Sequence, residues 1–174
     1  MGHSFGARLA SFTLAGLPAA ALQPSSIVKS VFLLQGAFSH FAFADALPMD
    51  PGTPGALKGM LQRIDGPLVA THSLHDMAVG LLYPNASIVS GDNASDFADA
   101  LYEWGAMGHD GAQAVQARGG PALPVGQPYP FVPASAFNLD GNAIITQGGP
   151  PAGAHGDIFH PELAWAALVA AGIG

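Results

Sequence analysis

Three residues in this chain add up, by type and placement, to a reaction: Ser4, Asp76 and His155. The stretch Gly2-His3-Ser4-Phe5-Gly6 reads as G-x-S-x-G, the sharp strand-to-helix turn that lifts a nucleophilic serine clear of a sheet. In a glycine-rich chain, with 23 glycines in 174 residues, chance alone yields that pattern roughly 0.2 times, so by itself it is a weak signal and its weight comes from context. A serine hydroxyl needs a base to take its proton, and the base needs an acid to orient it. In the architecture built on this turn the chain order is serine, then Asp or Glu, then His, with the later two placed just after strands. The segment "PLVATHSLHD" delivers Asp76 past a strand, and "GAHGDIFHPELAW" delivers His155 into a glycine-rich loop before the last helix. Order and placement both fit an acyl transfer through a serine.

Each role has rivals. Asp65 precedes its strand and so lies at the wrong end, while Asp45 and Asp50 are minor candidates for the acid. His160 is the alternative base, but it abuts Pro161 and reads as part of a helix start. Asp157 reads as a cap of that helix. His3 is expected to shape the elbow, and the small residues Gly2, Gly6 and Ala7 to let its backbone close. The backbone N–H of Phe5 is the expected oxyanion donor. His72, His75 and Asp76 invite a metal reading, but H-x-x-H-D is not the helical H-E-x-x-H pattern, and no metal or other cofactor is expected. His40 and His109 read as packing or surface residues.

The elements that must position these residues follow from the apolar pattern. Residues 7–22 begin as a helix that Gly16 and Pro18 end. The unbroken run Val31–Leu34, closed by Gly36, suits a strand buried on both faces, and "GPLVATHS" is a second. "LPMDPGTPG" is a loop, and "GALKGMLQRI" a short amphipathic segment. Residues 92–104 read as a helix, 105–133 as a stretch dominated by Gly, Pro and Ala in which "PALPVGQPYPFVP" cannot be regular, and "SAFNLDGNAIITQ" as a strand or a hairpin turning at Asp140-Gly141. "HPELAWAALVAAG" is a helix with Pro161 in its first turn and Gly172 at its end. Strands alternating with helices predict an α/β fold: a mostly parallel sheet, covered on both faces.

Composition narrows the partners. The chain reads as a single domain over 1–174, globular, with 49% hydrophobic residues and a mean hydropathy of +0.33. Five scattered cations and a net charge of −7 offer no phosphate-binding stripe, so nucleic acid is not an expected partner. Cysteine is absent, which removes thiolate chemistry and disulfides. No apolar run reaches the roughly 18 residues a membrane span needs. No leader is visible ahead of Gly2, and localisation stays open.

The elbow at residues 2–6, Asp76 in "THSLHDMAVG" and His155 in "GAHGDIFHPELAWAAL" together resemble the α/β-hydrolase family. "HDMAVGLLYPNAS" and "WGAMGHDGAQ" are similar to segments of bacterial α/β-hydrolase-like proteins. The resemblance implies the part of that fold that starts at the nucleophile elbow, with the first strands and one oxyanion-donating loop lying before Met1. It also implies a serine hydrolase acting on an ester, thioester or amide, either active or, as a fragment, inactive. The competing reading is a non-catalytic α/β module that binds a small ligand or a partner. An open sheet edge at the elbow strand is expected to promote self-association. Phe38, Phe41 and Phe43 read equally as core or as an acyl pocket, and residues 119–133 as a lid or as a plain surface excursion.

Overall fold

A computed structural model describes residues 1–22, 24–83 and 102–174. Five strands form one parallel sheet: β1 (Gly2–His3), β2 (Val31–Leu34), β3 (Leu68–His72), β4 (Ala117–Pro121) and β5 (Ala136–Asp140), in the order β1-β2-β3-β5-β4. Every pairing is parallel, as the expected α/β class requires.

Side chains alternate across the sheet with the two-residue period of a strand. Val31 and Leu33 of β2, Leu68 and Ala70 of β3 and Ala136 of β5 face one core. That core is completed by Ala7 of α1 (Phe5–Phe12) and Met107 of α2 (Met107–Asp110), with Leu57 and Ile64 from the β2–β3 crossover. Phe32, Leu34, Val69, Phe137 and Leu139 face a second core, closed by Leu163, Ala166 and Ala170 of α3 (Pro161–Ala170). Both faces of β2 and β3 are therefore apolar, which is why these strands read as continuous hydrophobic runs.

Several elements differ from expectation. The first helix starts at Phe5 and tightens into a 3-10 turn over Thr13–Gly16 before Leu17 becomes extended. "GALKGMLQRI" supplies only a 3-10 turn, Met60–Arg63, entered through a left-handed Gly59. No hairpin forms at Asp140-Gly141. Asp140 Oδ1 accepts from Asn142 N and Nδ2, and Gly141 N donates to His72 O, so β5 stays parallel to both neighbours. The Gly-, Pro- and Ala-dominated 105–133 region contains α2 and the edge strand β4, whose ARGGP sequence carries no apolar alternation for a reader to find. Its terminal Pro121 suits an edge, where no ladder donor is needed. The helix expected over 92–104 falls, for residues 92–101, outside the described residues.

The proline-rich 122–133 stretch is a largely exposed surface excursion, pinned at a few points, and lines no part of the Ser4 cleft. Tyr129 stacks on Phe131 at 4.8 Å and meets Phe137 edge-on, and its hydroxyl accepts from Leu123 N. Trp165 Nε1 of α3 donates to Gln127 O at 2.8 Å. The stretch thus covers the α3 face of the sheet, away from Ser4.

Candidate active site

Ser4 occupies the single residue between β1 and α1. Its backbone, at φ 56° and ψ −126°, lies in a region that a non-glycine residue rarely adopts and that costs on the order of 1–3 kcal/mol. The surroundings hold it there. Ser4 N donates to Leu34 O at 3.0 Å, and Ser4 O accepts from Ala7 N and Ala37 N, both at 3.1 Å. Gly2 is required by contact: a Cβ there would stand 2.3 Å from Gly6 O. Gly6 is not, since a Cβ on it would meet nothing within 4 Å. The tight closure expected of three small residues rests on Gly2 and on the fully buried Ala7.

Asp76 and His155 come from two loops at the carboxyl ends of β3 and β5, and these loops are bonded to each other. Ala154 N donates to His75 O at 2.9 Å, and Ala78 N to Ala152 O at 3.1 Å. Gly153 adopts a left-handed φ of 60° inside this bridge, where a Cβ would strike His75 O at 2.4 Å. These main-chain bonds set the loop of the base against the loop of the acid.

The side chains then form one hydrogen-bonded chain. His155 Nδ1 is 2.8 Å from Asp76 Oδ2, and His155 Nε2 is 2.8 Å from Ser4 Oγ. A carboxylate only accepts, so Nδ1 carries the proton and Nε2 is left to accept from the serine hydroxyl. Asp76 is completely buried, while the His155 ring is 17% exposed. The Asp76 carboxylate is fully engaged: Oδ1 accepts from Val79 N at 3.2 Å, and Oδ2 accepts also from Gln35 Nε2 at 2.9 Å. The ring of His3 lies 4.8 Å from that of His155, and its Nε2 donates to His155 O at 2.9 Å.

The serine opens on a cleft of about 290 Å³ lined by Ser4, Phe5, His155 and the apolar side chains of Ala37, Val79 and Leu82, among others. Phe5 is 65% exposed at its mouth. As the first residue of α1, Phe5 has a backbone N–H without an intrahelical acceptor. Phe38, Phe41 and Phe43 are buried core residues and do not border this cleft.

The rival residues are engaged elsewhere. Asp65 pairs with Lys29 at 2.8 Å at the opposite end of the sheet. Asp50 closes its own turn with Thr53 and Gly52, and Asp45 lines a separate cleft with Gly59, Gln62 and Ser135 that does not include Ser4. His160 Nε2 bonds Asp157 Oδ1 at 2.9 Å rather than Ser4. Asp157 caps no helix: its Oδ2 accepts from Thr146 N and Gln147 N, both at 2.8 Å. Burial pushes that carboxyl up, but the Gln147 and Thr146 N–H groups and His160 outweigh it and hold it below the usual range. His40 is buried between Asp110 and the Tyr102 carbonyl. Among the described residues no three His, Asp or Glu side chains gather as a metal site would require, and Asp76 faces His155 and Gln35. No helix is long and apolar enough to cross a membrane among the described residues.

Sequence reading missed Gln35 and the tie made by His3. A polar residue ending the apolar run "VFLL" was the available signal for Gln35. No family model, curated protein or solved structure matches the chain.

Proposed function

We propose that this chain is a serine hydrolase of the α/β-hydrolase type, acting on an ester, thioester or amide through an acyl-enzyme. The observation that carries the reading is the pair of 2.8 Å contacts joining Ser4, His155 and Asp76 at a left-handed serine. In the reaction, Ser4 Oγ attacks the acyl carbonyl while His155 Nε2 takes the hydroxyl proton. The new C–O bond forms, the carbonyl electrons move onto oxygen, and Phe5 N–H donates to that oxyanion. Collapse expels the alcohol, thiol or amine, which receives the proton from His155. Water then enters with His155 again as base and releases the carboxylic acid and free Ser4. Asp76 keeps its charge throughout and stabilises the imidazolium. On this reading the apolar cleft takes the acyl group of a small-molecule substrate.

A fluorophosphonate probe read by intact mass tests the proposal, since Ser4 Oγ would displace fluoride from phosphorus. A single adduct on the folded chain, lost in Ser4→Ala, is the expected result. A folded chain that takes no adduct overturns it and leaves a non-catalytic module.

A further inference from the structure

Gln35 directly follows β2, in the left-handed region at φ 44°, and is fully buried. Burying a primary amide is costly unless its groups are bonded, and here both ends are. Thr71 Oγ1, on β3, accepts from Gln35 N and donates to Gln35 Oε1, each at 3.1 Å. Gln35 Nε2 donates to Asp76 Oδ2 at 2.9 Å and to Gly108 O at 3.2 Å. The orientation of the amide follows from its partners. Turned over, its oxygen would face a carboxylate and a carbonyl, two groups that only accept.

We infer that Gln35 is a positioning residue for the reaction, fixing through Asp76 the orientation and tautomer of His155. This rests on the proposed hydrolase reading of Ser4, His155 and Asp76. Gln35 donates to Asp76 Oδ2, the oxygen that also receives His155 Nδ1–H. Without that donor the carboxylate is tethered only by Val79 N, at Oδ1, and by the His155 ring it should itself orient, so it turns about its soft terminal torsion. The His155 proton then loses its fixed acceptor, and Nε2 is no longer aimed at Ser4. The strained backbone at Gln35 serves this aim: it turns the side chain from the end of β2 toward the acid loop, while Gly108 packs against the Gln35 backbone so closely that a Cβ there would stand 2.5 Å away.

The test compares wild type with Gln35→Met, which keeps chain length without a donor, and with Gln35→Asn, which tolerates the left-handed backbone but stops short of Asp76. Cooperative melting selects the variants that fold. Two readouts are taken: the second-order rate of fluorophosphonate labelling at Ser4, and the tautomer of His155 by ring ¹⁵N resonances. Loss of a donor to a charged acceptor is expected to slow labelling about 10- to 100-fold. It is also expected to abolish the Nδ1–H tautomer that wild type holds. A folded variant with wild-type tautomer and a rate within about 2-fold overturns the inference. A wild type that takes no probe overturns the hydrolase reading, and the tautomer comparison then still decides whether Gln35 orients His155.

Discussion

The imidazole of His3 donates to the main-chain carbonyl of His155, the residue whose own ring accepts from Ser4. The residue before the nucleophile therefore anchors the backbone of the base across 152 positions of sequence. His3→Phe keeps a ring beside His155 and removes the donor. We expect labelling of Ser4 to slow by about 3- to 10-fold, the worth of one ordinary hydrogen bond. Stopped-time labelling by mass checks this, and an unchanged rate would show that His3 only fills space.

The two elbow glycines separate cleanly. Gly2→Ala drives a Cβ into the Gly6 carbonyl, backbone against backbone, and should destabilise by about 1–3 kcal/mol with loss of labelling. Gly6→Ala meets open space inside α1 and should leave stability unchanged or raise it by up to about 1 kcal/mol. Urea unfolding of the two variants measures both.

The choice between the two C-terminal histidines is also decidable. His155→Gln should reduce labelling about 10²–10⁴-fold, the usual contribution of a positioned base. His160→Gln, whose partner is Asp157, should leave the rate within about 2-fold. Equal losses would place the base elsewhere.

Stability should fall as the solution is acidified below neutrality. Burial pushes the His72 imidazole below its ordinary value of 6.5, against the pull of Asp140 and Asp110, with His109 adding to the depression. Above that value His72 is neutral both folded and unfolded and contributes no pH dependence. As pH drops through it, the unfolded chain takes the proton first, so unfolding is favoured until the folded-state value is passed. Urea midpoints from about pH 8 to about pH 5 should decline, and His72→Asn should flatten part of the slope. Asp157 acts lower, contributing above its ordinary 3.8 and losing that contribution as pH falls further.

Ser4, Asp76 and His155 were legible because strand ends can be read from apolar runs, and a parallel sheet gathers its strand ends on one side. Leu68–His72 announced itself through four buried residues in a row, and with it the loop that carries Asp76. Strand β4 did not, because Ala117, Arg118, Gly119, Gly120 and Pro121 pair through main chain while carrying no side-chain pattern. The Asp140-Gly141 turn signal misled for a related reason: the side chain of Asn142 turns the chain locally, and β3 and β4 already occupy both edges of β5. Gln35 and His3 act through partners 41 and 152 residues away; a polar residue closing an apolar run hinted at Gln35, but nothing local names the partner of either.

The sheet order has a consequence for timing. The nucleophile stands on the strand at one edge of the sheet, near the start of the described chain, and its base arrives only at residue 155, after every other strand. Contacts of such long sequence separation form late, because the loop between them must be closed first. A growing chain that stops short of residue 155 carries the serine without its base, as an ordinary alcohol. On the proposed chemistry, reactivity at Ser4 reports that folding is complete, and a partly made chain is chemically silent.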